Sequence, residues 1–484
     1  MAEAEKNAVY ICVIEHEGDA HPRGYKAGTS IEDLVKWAEE KNEPITDENR
    51  IPTEGPTVKD VTLSGLMKII SASGHHQREL IDLTDAVRKS FPLASFSLDV
   101  VEPVFKNKTP VLCGENFRIG KVEDNELSTI MSSMEKIGRL RDGLKYLPNA
   151  IFLSLIATFD SQMSDVVRSM LRIKSDRLKF SGRQIPLSKI MTAASIEEIV
   201  EEQIIEEVYL FSRGSHDEQV GFIEENFDVA IRKDWKRWSD FIEVFERRNL
   251  VAHGERYYTK RYVEICTKHG DAEATDKLGS IVNISRSYLT SSLSILSEFA
   301  ILTIFVLWRK HLPKEKSAAF DSLVEISFEC IGSYRARLAS RICEFALSLK
   351  NSGIKEAQRL RLVVNLASAH LHMKEEEEAK RVLGKEDWSA TSDDFQISVA
   401  ALRKDIQEVN RLLPMIKASD RLSAHEFRIW PVFDFIKDDI EFQRKFEEVY
   451  NEPLIVAAGN SDALPNNGSK ELDESLRDEH KTMH

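Results

Sequence analysis

From about residue 126 to residue 450, apolar side chains recur at three- and four-residue steps, and few helix breakers interrupt them: Gly is 21 and Pro 14 of 484 residues. That period commits the stretch to amphipathic helices, because a strand alternates every second residue and a sheet of this length needs many turns. A helix is expected over 126–145, with Leu147-Pro148-Asn149 as a break and Asn149 capping the next one. That next helix places Ile151, Ile156, Phe159, Met163, Val166, Val167 and Met170 on one face. Ser195 and Glu198 form a capping-box pattern that starts another, running to about Phe211. A third is expected from about 230 to 252 with Gly254 as its stop, and a fourth from about 280 to 311, broken by Pro313. The most apolar run, 299–308, is bounded by Glu298 and by Arg309-Lys310-His311. It falls short of the roughly 18 residues of a membrane span, so it reads as a buried core helix and no membrane partner is expected.

Residues 1–125 read differently, as a mixed α/β module of unknown role. Residues 10–14 and 96–101 have strand character, 31–40 and 61–72 have helical spacing, and 42–56 is a loop with three prolines and a glycine. Past Pro313 the chain returns as helical hairpins over about 314–333, 334–351, 355–372, 375–384, 393–414 and 420–450. The pair 362–371 and 376–383 resembles tetratricopeptide repeats over about two repeats. The polar residues 457–484 are expected to be a disordered tail. The fold class is therefore mainly α: an N-terminal α/β module (1–125), a central helical bundle (126–312), a helical-hairpin region (313–456) and the tail (457–484).

The balance of 66 basic against 80 acidic residues, a net charge of −14, excludes a nonspecific nucleic-acid coat, since phosphate neutralisation supplies most of nonspecific affinity. RNA binding would need a local basic patch. The five cysteines, Cys12, Cys113, Cys266, Cys330 and Cys343, are odd in number and scattered, which argues against a disulfide framework or a zinc knuckle and for free thiols in a reducing compartment. The charged N-terminus lacks the layout of a secretion signal, and a cytoplasmic location is the expectation. His75-His76 and His370/His372 are each read as solvated pairs rather than metal ligands, because neighbouring side chains on a helix diverge. With no phosphate-cradling loop, zincin motif or nucleophile elbow, no metal and no cofactor is expected.

One helix carries the chemistry. Trp235, Trp238, Phe241, Ile242 and Phe245 form an apolar stripe, and steps of four from Phe241 and Phe245 arrive at Asn249 and His253. An apolar face thus turns polar in its last two turns, which demands internal partners, a cleft or a second subunit. Arg248 can reach the same end, and Arg247 adds a second guanidinium on the adjoining face. Over 232–262 nine Lys/Arg stand against five Asp/Glu, a local surplus of positive charge within an acidic protein. Arg247, Arg256, Tyr257, Tyr258, Lys260 and Arg261 are the expected RNA-binding residues: bases stack on phenol rings while cations meet phosphates.

Arg248-Asn249, three spacer residues and His253 at the end of a long bundle helix resemble the active motif of HEPN-domain ribonucleases, over roughly residues 150–312. Arg247 fits the spacing, but Arg248 then follows it where the family commonly has Asn, Asp or His. The resemblance implies a metal-independent endoribonuclease, active as a homodimer that joins two motifs, with RNA as substrate. His253 would act as general base or acid, Arg248 would hold the scissile phosphate, and Asn249 would orient either. The family also implies a regulated toxin in stress or anti-phage defence, with the flanking domains as its sensors or locks and a regulatory protein or phage-derived trigger as its partner. Asp160 and Glu243 are candidate supporting carboxylates. The competing reading is a noncatalytic helical scaffold, in which Arg248 pairs with Glu243 or Glu246 and His253 caps its own helix. A third is a nucleotide-sensing module that binds without cutting.

Overall fold

The computed structural model describes residues 10–14, 24–28, 62–90, 112–113, 118–119, 124–181, 184–233, 235–350 and 353–455. Contacts divide the chain into two compact units, Met1–Asp60 and Val61–His484. In the first, β1 (Tyr10–Ile14) pairs antiparallel with β2 (Gly24–Gly28), Tyr10 opposite Gly28 and Ile14 opposite Gly24. The expected elements at 31–40 and 96–101 and the tail 457–484 lie outside the described residues.

Among its described residues the second unit is helical, with a two-residue ladder of β3 (Leu112–Cys113) and β4 (Arg118–Ile119). Its first helix, α1 (Leu63–Ser90), corrects the expected boundary at residue 125. Leu66, Met67, Ile70 and Ile81 bury one face of α1 against the central bundle, so these residues belong to the second unit. The bundle itself is α2 (Asp124–Ile173), α3 (Leu187–Thr192), α4 (Ile196–Arg213), α5 (His216–Phe227), α6 (Trp238–Ala252), α7 (Lys260–Lys268) and α8 (Arg286–His311). α8 is the central post, packed on α1, α2, α6 and α10 (Ala336–Ser348). Over 299–308 every residue but Val306 is buried, which is the core helix expected. α8 and the 143–173 part of α2 are long and apolar enough to cross a membrane by length and composition, and 78% of the α8 window lies inside the protein.

Three helix boundaries depart from the sequence reading, each for a local reason. α2 runs through Pro148 as one helix instead of breaking there; a proline withholds one N–H from the ladder, while the turns beyond it are anchored by Phe152, Leu155, Ile156 and Phe159. α6 starts at Trp238 rather than near 230, because the Glu224 carboxylate accepts the backbone N–H groups of Ile231 (2.7 Å) and Arg232 (2.8 Å) and holds that segment as a turn. α8 starts at Arg286, where the Ser285 hydroxyl accepts the Tyr288 N–H. At α4, Ser195 accepts from Glu198 N–H as expected, and the return bond from Glu198 reaches the N–H of Ala194.

Beyond α8 follow α9 (Lys316–Gly332), α10, α11 (Glu356–His372), α12 (Glu376–Leu383), α13 (Asp393–Leu402) and α14 (Ile406–Ala418), then α15 (Ala424–Ile429) and α16 (Ile440–Tyr450). The expected single helix over 393–414 is two, and the expected 420–450 helix is likewise split. The pairs α9–α10, α11–α12 and α13–α14 turn in the same way: Tyr334, Lys374 and Lys404 each take a left-handed conformation, and the next N–H bonds to the carbonyl five residues back. His370 and His372 are not the solvated pair expected. His370 is buried with Nδ1 2.7 Å from Glu375, and His372 packs on Phe435. Among the described residues no group of three or more His, Cys, Asp or Glu is arranged to hold a metal, and Cys266, Cys330 and Cys343 are buried free thiols.

Candidate functional site

The stripe on α6 does what its sequence requires. Phe241 and Phe245 are buried among Phe159 of α2, Phe299 of α8 and Trp235. This cluster fixes α6, and with it the direction in which its polar end leaves the bundle. The helix closes in a Schellman motif: Glu255 N–H bonds to Leu250 O (2.9 Å) and Gly254 N–H to Val251 O (3.2 Å), with Gly254 at φ +72. His253 is the C-cap residue, its own N–H on Asn249 O at 3.0 Å. Its imidazole is exposed and forms no hydrogen bond or ion pair among the described residues. The backbone therefore caps α6, and the His253 side chain is spare. An alanine at Gly254 would meet nothing within 4 Å, so only backbone strain opposes it. Gly254→Ala is expected to destabilise by about 1 kcal/mol through that left-handed φ. An unchanged urea midpoint would show that the cap relaxes freely.

The two neighbouring arginines have opposite fates. Arg247 is buried and saturated: Nε and Nη2 bond Glu243 Oε1 (2.7 and 2.5 Å), Nη1 donates to Asn283 O (3.2 Å), and the guanidinium lies 3.6 Å from the Tyr288 ring centroid. The expectation that Arg247 binds RNA is corrected by this burial. Tyr258 is corrected for the same reason, since it packs in a small second core with Leu250, Tyr262, Cys266 and Ala274. Glu243 supports Arg247 and not Arg248. Arg248 is half-buried, with Nη2 3.9 Å from Asp160 Oδ2 on α2, while its Nε is buried with no partner among the described residues.

Asn249 donates from Nδ2 to Glu246 Oε1 at 3.4 Å. Burial pushes the Glu246 carboxyl beside Asn249 above its ordinary range, against the pull of Arg261, Asn249 and Arg248. Of the remaining expected RNA-binding residues, Arg256, Tyr257, Lys260 and Arg261 are exposed, with Arg256 over the Tyr257 ring at 5.7 Å. On an ideal helix Asn249 and His253 lie roughly 40° apart, and Arg248 and His253 roughly 140° apart. By helical spacing Arg248 and His253 thus leave α6 on different faces.

Sequence reasoning missed His216. Its only signal was a histidine at the first position of a helix capped by Ser215, which nothing local connects to Arg248. Its ring lies flat on Phe245, centroids 3.3 Å apart and 12° from parallel, and Nε2 is 2.8 Å from Asp160 Oδ1. Burial lowers the His216 pKa, Asp160 pulls partly the other way, and Arg248 adds to the lowering. A histidine whose folded pKa lies below the ordinary value of about 6.5 stabilises the fold above that value and loses the contribution as pH falls towards the folded-state pKa. Burial shifts His311 and His372 the same way. The melting temperature should therefore decline below about pH 6.5, and His216→Phe should flatten part of that slope. Equal slopes for the two proteins would contradict the assignment.

Comparison of this chain with protein-family models, with curated proteins and with solved structures gives no match.

Proposed function

We propose that this protein is a metal-independent endoribonuclease of HEPN type, with Arg248, Asn249 and His253 as its active motif. The observation that carries the reading is the state of the α6 end: among the described residues, an exposed imidazole at the C-cap with no polar partner and, on the same helix, an arginine with unused donors. RNA brings its own nucleophile. A neutral His253 takes the 2′-hydroxyl proton, the 2′ oxygen bonds phosphorus, and the bond to the 5′ oxygen breaks as the protonated His253 of the second copy gives its proton to that oxygen. Arg248 neutralises the added charge on the phosphorane. The products are a 2′,3′-cyclic phosphate and a 5′-hydroxyl, and DNA is inert. Tyr257, Arg256, Lys260 and Arg261 supply the exposed RNA-facing surface, without Arg247 and Tyr258.

The roughly 140° between the Arg248 and His253 positions on an ideal helix favours a site shared by two copies, so a homodimer is part of the proposal. A restrained toxin, held in check by the flanking regions and released by a protein trigger, is the physiological form of the same reading. The test is cleavage of a mixed RNA pool in chelator by wild type, Arg248→Ala and His253→Ala, each checked for folding and oligomeric state. Cleavage by wild type alone supports the proposal, and equal cleavage by all three defeats it. The scaffold reading is favoured by one observation, the three successive hairpins with a common turn. It expects no cleavage, and no expression toxicity that His253→Ala relieves.

A further inference from the structure

Arg247 shows what a structural arginine looks like in this protein: three of its nitrogens are engaged and its face is stacked. Arg248, one residue on, is the contrast. A guanidinium has five N–H donors. Here Nε is buried without a partner among the described residues, and the 3.9 Å separation of Nη2 from Asp160 is beyond hydrogen-bond length. The Arg248 side chain is 30% exposed and its Nη1 and Nη2 form no hydrogen bond among the described residues, so these two donors, and not the buried Nε, are open to an outside acceptor.

What holds Arg248 in that state is a closed chain of side chains. Phe245 and Arg248 share α6. The His216 ring from α5 stacks on Phe245, its Nε2 meets Asp160 Oδ1 from α2, and Asp160 Oδ2 faces Arg248 Nη2. A neutral His216 donates Nε2–H to the carboxylate and prevents Asp160 from turning both oxygens onto the arginine. Asp160 thereby aims the guanidinium without saturating it. A phosphodiester, with two non-bridging oxygens, matches the fork that remains.

We propose that Asp160 and His216 are positioning residues that preorganise Arg248 for an RNA phosphodiester. This rests on the phosphate-binding role given to Arg248 in the nuclease reading. It makes a counter-intuitive prediction of sign. Removing the negative charge of Asp160 should strengthen RNA binding if charge alone matters, because the local field becomes more positive. If Asp160 positions Arg248, binding weakens.

The experiment measures binding of a fluorescent 2′-O-methyl oligoribonucleotide, which lacks the nucleophile, to the full chain by anisotropy. Arg248→Ala should weaken binding by about tenfold or more, the loss of one charge-assisted pair. Asp160→Asn, nearly isosteric, should weaken it about fivefold, yet cause no further loss in the Arg248→Ala background, since the two act as one unit. His216→Gln keeps an N–H donor and should stay within about twofold of wild type, whereas His216→Phe keeps the stack, loses the donor and should fall with Asp160→Asn. If Asp160→Asn does not melt like wild type, Asp160→Ser replaces it with the same expected loss. Binding by Asp160→Asn as tight as wild type or tighter, an additive loss in the double variant, or no binding by wild type would each overturn the proposal. The predicted pattern together with no cleavage of unmodified RNA would uphold the positioning role and sink the ribonuclease reading instead.

Discussion

His253→Ala should lower RNA cleavage by about 10²- to 10⁴-fold, the range over which a positioned general acid or base contributes. Arg248→Ala should lower it by about 10²- to 10³-fold, as removal of a donor to a developing oxyanion does. The double variant should be little worse than the more damaged single one, because groups that act together in one transition state do not lose their effects additively. The structural signature is as important as the rate. The His253 imidazole touches no polar partner among the described residues and lies outside the helix cap made by the backbone, so its truncation should leave the melting temperature unchanged. An activity loss without a stability loss is what a solvent-facing catalytic group gives and what a capping histidine does not. Cleavage by purified His253→Ala at the wild-type rate would remove the central residue of the proposal.

Much of this arrangement is legible in sequence because it is local. The aromatic stripe, the polar turn after it and the stop at Gly254 all follow from helical spacing and from the one residue that adopts φ +72 easily. The buried run 299–308 is legible for the same reason. What is not legible is decided by partners far away in the chain. The late start of α6 depends on a carboxylate at Glu224, and α2 continues through Pro148 because the bundle holds the turns after it. The split at Lys404 needs a left-handed lysine, which no spacing rule anticipates.

The site divides along the same line. Arg247 and Arg248 are neighbours in sequence, but helical geometry sends one towards Glu243 and Tyr288 in the interior and the other towards Asp160 at the surface. His216 enters only because α5 brings it over Phe245. Tyr258 looked like a stacking platform and is a core residue, since the 254–285 segment folds back on itself: Tyr258 N–H bonds Ser280 O and Val282 N–H bonds Arg256 O, each at 3.0 Å. Composition pointed to a basic aromatic strip. Burial removed Arg247 and Tyr258 from it and left the exposed residues.

That fold-back depends on Glu243, and its replacement should be the most destabilising change in this region. Oε1 accepts from Arg247 Nε and Nη2 and from Tyr262 OH (2.6 Å), while Oε2 accepts from Tyr288 OH (2.8 Å). Burial and then the Glu243 charge push both phenols above their ordinary range, so they remain protonated donors. One carboxylate thus ties α6 to α7 and α8. Glu243→Ala strands the Arg247 charge in the interior and should cost about 3–5 kcal/mol, the penalty for breaking a buried pair from one side. Arg247→Ala should cost a similar amount for the mirror reason. Glu243→Gln with Arg247→Met removes both charges and should recover most of the loss, because the expense lies in the unpaired ion rather than in the missing attraction. The damage should also be local before it is global. With its tie cut, the small core of Leu250, Tyr258, Tyr262, Cys266 and Ala274 opens first, so limited proteolysis of Glu243→Ala should begin within 254–285 under conditions where wild type resists. A Glu243→Ala protein that melts like wild type and is cut elsewhere would mean that apolar packing alone holds this lobe to the bundle.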